Sequence, residues 1–401
     1  MRTKSLIKLI FAIAVVDLII VGCSKILPGE IPADQTLDGP IDGLSNAQIQ
    51  QFLRGDVAFN DDIFTTESGL GPIFVATSCA SCHAGDGKGH PSTTLTRFGQ
   101  VDETGNTYLA QGGPQLQHLA LPGYEPEQIP QGATSSKFTP PANTGLGYLE
   151  LVSDADILAM ADVDDDDGDG ISGAPNWVSK SEYIEPAENA VTQNGKYIGR
   201  FGKKSAAYNL LNQTVNAYNQ DIGITSEYSP YDVYSNQEIE AELSVTTIND
   251  VVFYLQTLKA PIQRDQNDAT VQNGKNVFVE IGCENCHKQT LTTSFSTIEA
   301  LSYKEFHPYT DMLLHDMGSL LDDGYTEGSA KTYEWRTPPL WGLGLSKNSQ
   351  GGQYYLMHDG RATTIEDAVL LHHGEAFDSK TKFETLSTAD KDALMRFLES
   401  L

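Results

Sequence analysis

Apolar residues recur at helical spacing in several stretches of the chain. In residues 45–59 they fall three or four positions apart, and Ser45 stands in the N-cap position ahead of a stripe made of Ile49, Phe52, Leu53 and Val57. A stripe of this period buries one face of a helix. We therefore expect a helix here that packs on the body of the protein.

Further stretches of the same kind follow. Residues 249–258 precede Pro261, residues 274–281 run into a cysteine motif, and residues 387–401 close the chain behind a Ser387 N-cap. A short apolar run, Ile73 to Val75, stands in the matching place before an earlier cysteine motif. We interpret this order of entry helix, motif and closing helix as an internal duplication.

The first 23 residues differ from the rest. A basic start leads into the apolar run Leu9–Val21, which is interrupted by Asp17 and too short for a comfortable membrane span. Its ending, IVGC, resembles a bacterial lipobox with Cys23 as the lipidated residue. The sequence predicts an exported lipoprotein held in the cell envelope on the periplasmic side, and Ser24 favours the outer membrane. A plain signal peptide or an uncleaved anchor is the alternative.

Residues 24–44 are rich in Pro, Gly and Asp and have no apolar period, which predicts a flexible tether. The whole chain of 401 residues carries 26 Lys+Arg against 54 Asp+Glu, a net charge of −28. Such a surface repels phosphate backbones, so we expect no nucleic-acid partner and only the lipid anchor at the membrane. It suits contact with a basic electron-donor protein.

The cysteines carry the most specific signal. Four of the five form two CxxC pairs, and a histidine follows each pair directly: Cys79, Cys82 and His83, then Cys283, Cys286 and His287. A redox dithiol needs a βαβ setting that neither flank offers. A zinc site would have to join pairs 204 residues apart. Haem attachment explains every residue, with two thioethers and a proximal histidine at each motif, so the sequence predicts two covalently bound haem c groups.

An acidic segment, DVDDDDGDGISGAPN, lies between the motifs. Asp165, Asp167 and Asp169 alternate ahead of Gly170, as in the first half of a calcium loop, but Asn176 stands where the bidentate glutamate belongs. A Ca²⁺ site and a solvated acidic turn both stay open.

The C-terminal third resembles a known group of proteins. The segments EWRTPPLWGLGL and YYLMHDGRATTIEDAVLLHHGEA are similar to the bacterial di-haem cytochrome c peroxidase and MauG superfamily. The chain resembles more closely the di-haem oxidoreductase family that is often labelled thiol oxidoreductase or peroxidase. That resemblance also rests on GLGPIFVATSCASCHAGDGKG, GRFGKKSAAYNLLNQTVNAYNQDIGITS and YTDMLLHDMG.

The resemblance implies a sixth ligand for the C-terminal haem. In superfamily members this ligand comes from the end of the helix that follows the HDG loop. The residue at that position in this chain is His372, so His287 and His372 would both bind that iron. Rival ligands are His373, Met317 and Met357.

For the N-terminal haem the resemblance implies an open or weakly ligated iron. His90 and His118 are the candidates that would close it. The counterparts of the distal residues of the peroxidases would be Gln115 and Gln117, with His118 as the alternative acid–base group. Relatives commonly have Trp where this chain has Lys203, which leaves Trp177 or Trp335 to assist electron passage.

These observations predict a mostly α-helical protein with two cytochrome c-like haem domains from an internal duplication, interrupted by long loop inserts. The N-terminal haem domain would span 45–265 and the C-terminal one 266–401. The resemblance implies an oxidoreductase of the peroxidase type in which the C-terminal haem passes electrons to a reactive N-terminal haem. Its partners would be a small cytochrome c or cupredoxin and an oxidant such as H₂O₂. The alternative is an electron-transfer di-haem lipoprotein with both irons closed.

Overall fold

A computed structural model describes residues 32–401. The predicted signal sequence, Cys23 and the first part of the tether lie outside these residues. The chain divides into residues 1–36, of which the described part holds one 3₁₀ turn at Ala33–Gln35, and the compact unit 37–401. Among the described residues, no helix is both long and apolar enough to cross a membrane.

The α-helices of the compact unit are short, and the longest has 15 residues. In chain order they are α1 Asn46–Asn60, α2 Leu146–Glu150, α3 Asp154–Met160, α4 Leu210–Ala217, α5 Val245–Thr257, α6 Ala269–Glu280, α7 Ser346–Ser349, α8 Ile365–Leu370, α9 Phe377–Thr385 and α10 Thr388–Ser400.

The strands are shorter still and pair only locally. They are β1 Ile73–Phe74, β2 Leu95–Phe98, β3 Leu119–Ala120, β4 Ser135–Phe138, β5 Trp177–Ser179, β6 Thr192–Gln193, β7 Lys196–Ile198, β8 Leu291–Thr292, β9 Glu305–Phe306, β10 Leu314–Asp316 and β11 Glu334–Arg336. All pairings are antiparallel: β1 with β3, β2 with β4, β8 with β9, β10 with β11, and β7 between β5 and β6.

Two close helix crossings organise the molecule. α1 packs against α5, and α6 packs against α10. A Cβ added at Gly55 would collide with the Asp250 carbonyl of α5, and one added at Gly274 would collide with the Ala393 carbonyl of α10. Both glycines thus let two helix backbones approach more closely than any larger residue would allow.

The predicted helices at 45–59, 249–258, 274–281 and 387–401 are confirmed as α1, α5, α6 and α10. Both predicted N-caps form: the Ser45 hydroxyl accepts from Gln48 N–H and the Ser387 hydroxyl accepts from Asp390 N–H.

The expectation of a helical approach to the first motif that matches α6 is wrong. Residues 73–74 form the two-residue strand β1, which pairs with β3. Gly71 lies so close to the Gly223 backbone that a side chain would not fit there, and Pro72 follows it. Backbone contact and proline together keep the segment extended.

The predicted mostly α-helical pair of duplicated cytochrome c-like domains is also wrong. The structure is 34% helix and 12% strand, with many loops and small sheets. Residues 61–145 contain no α-helix. The 36 glycines and 18 prolines explain much of this, because both residues interrupt regular elements and favour turns.

The hydrophobic core has two main clusters. One draws chiefly on residues 41–258 and includes Phe52 and Tyr254, whose rings lie 5.0 Å apart. The other draws on residues 271–401 and includes Phe278 and Phe397, at 5.4 Å. The predicted domain boundary at residues 265 and 266 stays a prediction.

Candidate haem site

One cavity of about 440 Å³ borders both CxxCH motifs. This volume falls within the range of about 300–1,000 Å³ that is usual for ligand and cofactor pockets. All six cysteine and histidine residues of the two motifs line it, and so does His372. The fold therefore brings together side chains that lie as much as 293 positions apart in the sequence (79 to 372).

The histidine of each motif is held in the same way. His83 Nδ1 lies 2.9 Å from the Pro141 carbonyl oxygen, and His287 Nδ1 lies 2.9 Å from the Tyr309 carbonyl oxygen. A carbonyl oxygen can only accept, so the proton is on Nδ1 and Nε2 keeps its lone pair. Burial lowers the pKa of both imidazoles to about 4 and keeps them neutral.

His372 repeats this arrangement just beyond the end of α8. Its Nδ1 donates to the Ala368 carbonyl oxygen at 2.7 Å, and burial lowers its pKa. His372 is also close enough to His287 to lower the pKa of that ring. Within the described residues, Nε2 of His83, His287 and His372 makes no hydrogen bond. Metal-binding histidines characteristically donate one ring N–H to a carbonyl and turn the other nitrogen to the metal, so these three fit a haem iron.

The four cysteines of the motifs form no disulfide with one another. Burial raises the pKa of Cys79 to about 12, of Cys82 to about 11 and of Cys283 to about 12, and Asp221 adds to the effect at the first motif. A buried cysteine pair that is followed directly by a histidine fits covalent attachment to the vinyl groups of haem.

The other candidate ligands have different partners. His90 Nδ1 accepts from Ser92 N–H at 3.1 Å, which puts the proton of the neutral ring on Nε2, and the ring lies edge-on to Tyr355 at 4.9 Å. His118 is exposed. Lys380 Nζ lies 3.4 Å from His373 Nε2. Neither His90, His118 nor His373 lines the cavity, while Met317 and Met357 do.

His315 lines the cavity but has no nitrogen to spare. Its Nε2 is 2.8 Å from Asp311 and its Nδ1 is 2.7 Å from Glu375. Burial alone would lower the pKa of His315, but its hydrogen bonds raise it well above the ordinary value. Cys286, Asp311 and His315 lie close enough to hold a metal ion. A protonated imidazole between two carboxylates makes a poor ligand, so we interpret the group as an ion-paired wall.

His358 of the HDG loop is likewise structural. Its Nε2 is 2.8 Å from Asp323, and its ring stacks on Trp335 with the centroids 3.7 Å apart. Trp335 is buried and lines the cavity, whereas Trp177 does not. Of the two tryptophans expected to assist electron passage, only Trp335 is therefore placed at the cavity wall.

The predicted distal residues lie behind the wall of the cavity. Gln115 and Gln117 are buried but do not line the cavity. Gln115 accepts from Arg97 Nη1 at 3.2 Å, and Gln117 donates to the Gln220 carbonyl at 2.9 Å. Gln115 thus acts on the cavity only through Arg97, which does line it.

Two carboxyl groups on the cavity wall escaped the sequence analysis. Glu327 is buried and paired with Arg97 at 2.6 Å. Asp221 has no hydrogen-bond or ion-pair partner for its carboxyl group among the described residues, and burial raises its pKa to about 7 against the opposing charge of Arg97. No motif marks either residue, since Asp221 lies in the short π-helical turn Tyr218–Ile222 and Glu327 lies in a loop, and a single acidic residue carries no period or spacing.

The acidic segment groups slightly different residues from those predicted. The carboxylates of Asp162, Asp165 and Asp167 come together, while Asp169 lies outside this group. Asp162 accepts from Asp166 N–H at 2.9 Å and Asp165 from Gly170 N–H at 3.0 Å, so the loop already satisfies part of its own charge. Asn176 is buried and bonded to Lys204 and Glu327 carbonyls. Calcium binding stays a prediction.

The sequence matches the family described as "Di-haem oxidoreductase, putative peroxidase" over residues 32–101 and 136–401. Since this is well over half of the chain, the protein belongs to the di-haem oxidoreductase family, as the resemblance indicated. It is accordingly a haem-binding oxidoreductase.

No curated protein matches the chain significantly. A solved structure of hydrazine synthase from Kuenenia stuttgartiensis, pressurised with 20 bar xenon, matches it with 12% sequence identity and a TM-score of 0.41, over 94% of each chain. A similarity at this level carries no argument about this chain's fold or activity.

Proposed function

We propose that the protein is a c-type di-haem peroxidase. One haem is attached at Cys79 and Cys82 and the other at Cys283 and Cys286. The observation that carries the proposal is an asymmetry in the cavity wall. Within the described residues, the second site has two histidines whose Nε2 makes no hydrogen bond, His287 and His372, whereas the first site has His83 alone. His287 and His372 would then both bind the C-terminal haem, whereas His83 alone would bind the N-terminal haem and would leave that site open to substrate.

The division of labour follows from that asymmetry. A bis-histidine site suits electron storage and transfer, and an open site suits reaction with a small oxidant. A small donor protein, a cytochrome c or cupredoxin, would supply electrons to the C-terminal site, and the N-terminal site would use them. The overall reaction there would consume one H₂O₂, two electrons and two protons and give two water molecules.

When bound, haem supplies the redox-active iron, and the protein supplies position and protons. The hydrogen bond from His83 Nδ1 to the Pro141 carbonyl leaves Nε2 as the nitrogen that would bind the metal. Burial raises the pKa of Asp221 to about 7, so its carboxyl group can both accept and donate a proton near neutral pH. This property suits a general acid–base group.

Arg97 keeps a positive charge at the same wall. Its guanidinium is held by Glu327 at 2.6 Å and by Gln220 at 3.0 Å. Burial lowers the pKa of Arg97, but Glu327 and Tyr325 more than offset that effect. A fixed cation of this kind can stabilise the negative charge that develops when the O–O bond breaks.

We also propose export and lipid attachment at Cys23. Metabolic labelling with a fatty acid tests this, because wild-type protein should take up label and Cys23→Ala should not. Equal labelling of the two would contradict the proposal.

The test of the function is peroxide turnover by the holo-protein. With a reduced small cytochrome c as donor, we expect two donor molecules to be oxidised per H₂O₂ consumed. Fully loaded protein that exchanges electrons with the donor but leaves H₂O₂ intact would be the electron-transfer lipoprotein instead.

A further inference from the structure

Within the described residues, three cationic side chains of the cavity wall have neither an ion-pair partner nor a side-chain hydrogen-bond partner: Lys88, Lys203 and Arg336. In the same part of the chain, Arg336 Nη1 is fully buried with no hydrogen-bond acceptor. Another cation at the cavity, Lys380, contacts His373.

Burial lowers the pKa of Lys88 to about 8, of Lys203 to about 7 and of Arg336 to about 10. The three side chains are partly buried, and the charges of Asp359, near Lys203, and of Asp311, near Arg336, oppose the effect of burial without forming an ion pair. Partly buried charges that lack an ion-pair partner are costly, so an anion should compensate this group.

Lys204, which follows Lys203 in the chain, is a buried lysine whose ammonium group has a full set of hydrogen-bond acceptors. Its Nζ donates to the carbonyl oxygens of Lys331, Thr332 and Glu334 and lies 3.9 Å from the centre of the Trp335 ring. Lys203 has no such set of acceptors. The contrast indicates that the ammonium of Lys203 faces a ligand and is not a structural cation.

The three cations belong to one region. Lys203 is near enough to Lys88 and Arg336 for each to lower its pKa. The backbone holds two of them together, because Arg336 N–H donates to the Lys203 carbonyl at 3.1 Å and Arg336 Nε donates to the Gly202 carbonyl at 2.9 Å. Mutual repulsion among the three cations favours a further negative group beside them.

Neutral donors add to the same wall. Asn143 Nδ2 and Thr144 Oγ1 are buried, line the cavity and have no hydrogen-bond partner. Together with the three cations they form a set of donors that lack acceptors. Carboxylate oxygens accept several such bonds at once.

We propose that Lys88, Lys203 and Arg336, with Asn143 and Thr144, bind the propionate carboxylates of the haem groups. This inference rests on the proposed function, since it assumes that haem occupies the cavity. Each haem brings two carboxylates, so the cofactor itself carries the charge that this wall lacks. Lys88 lies five residues after His83 of the first motif, and Arg336 belongs to β11.

The position of these charges predicts an effect on reduction potential. Reduction adds an electron to the haem, and a nearby cation stabilises that state. Replacing Lys203 by Met keeps the length of the side chain and removes its charge. We expect Lys203→Met to retain both haems, to lower the midpoint potential of at least one of them and to shift the propionate-bending band in the resonance Raman spectrum. Lys203→Arg should restore both signals towards wild type, and Lys275→Gln, an exposed control, should change neither.

A measurement on wild-type protein covers the case in which the variants do not fold. Exchange into D₂O should shift the propionate-bending band, because the bound carboxylates accept from N–H and O–H donors. Addition of thiosulfate or chloride tests a free anion as the true ligand; a saturable change in the haem spectrum that Lys203→Met abolishes would overturn the propionate assignment.

The proposal is also overturned if Lys203→Met carries both haems with unchanged potentials and an unchanged propionate band. That outcome leaves the proposed function intact. Failure of the proposed function has a separate signature, the absence of H₂O₂ turnover in wild-type protein that is fully loaded with haem.

Discussion

The two CxxCH sites hold the histidine of the motif in the same way but differ in the other side chains around it. On the proximal side His83 and His287 are fixed alike, each with Nδ1 on a backbone carbonyl at 2.9 Å and a pKa lowered to about 4. The remaining wall differs. The second site adds His372, whereas the first adds Arg97, Asp221 and Glu327. A five-residue motif thus builds the same support twice, and distant residues decide what each site does.

The origin of the difference is local structure. His372 follows α8, which is capped by Thr364 and ends at Leu370. The chain then turns so that the His372 ring hydrogen-bonds to the Ala368 carbonyl. At the first site the corresponding wall comes from β2 and from the segment after α4, which supply charged side chains. The proposal of proton transfer at the first site and of a bis-histidine haem at the second rests on this difference.

Removing the thiols of one site is the largest perturbation. The double variants Cys79→Ala/Cys82→Ala and Cys283→Ala/Cys286→Ala should each lose one of the two covalently bound haems. Pyridine haemochrome spectra and haem staining on denaturing gels measure this. Protein that keeps two covalent haems after either change would contradict the assignment of the motifs.

His372→Ala should turn the C-terminal haem from low-spin to high-spin. The reason is that His372 is the second histidine at this site with an unoccupied Nε2. His373→Ala is the matched control, since His373 contacts Lys380 and does not line the cavity. An optical spectrum that changes with His373→Ala but not with His372→Ala would reverse the assignment.

Asp221→Asn should slow peroxide turnover by about 10²–10⁴-fold, the usual contribution of a general acid–base group. A base must be deprotonated to accept the peroxide proton, and burial raises the pKa of Asp221 to about 7, so wild-type kcat/KM should rise through pH 7. The variant should lose that limb of the pH profile while keeping its haem content. A profile that is unchanged by the substitution would exclude Asp221 as the base.

The substitution with the smallest expected effect, one on stability, is at Asp86 near the first motif. This residue lies in the loop after the first motif, accepts from Tyr254 OH at 2.7 Å and has its pKa raised to about 7 by burial. A carboxyl whose folded-state pKa is raised favours the protonated form, so stability falls as pH rises from about 4 through 7, by at most about 1.4 kcal/mol per pH unit.

Asp86→Asn keeps an acceptor for Tyr254 and cannot ionise. We therefore expect a flatter dependence of Tm on pH, with a gain over wild type at pH 8 and little change at pH 5. Circular dichroism melts at the two pH values measure it. A variant that loses stability equally at both would show that Asp86 is ionised in the folded protein.

Local signals predicted the parts of this molecule that local physics decides. The apolar stripe and cap of α1 and of α10, and the two CxxCH motifs, depend on residues within a few positions of one another. The family resemblance pointed to His372, which lies on the cavity wall. The predicted helix content was wrong because close backbone contacts, such as that of Gly71 with Gly223, are set by tertiary packing. Asp221, Glu327 and the cations beside Lys203 were missed because only the fold brings them to the cavity.

The most direct test of the account is low-temperature EPR of the wild-type holo-protein in the oxidised and half-reduced states. We predict one low-spin bis-histidine haem and one high-spin haem, with added H₂O₂ or cyanide altering only the high-spin signal. Two low-spin haems in both states, unaffected by peroxide, would contradict the claim that the first site is open and the second closed.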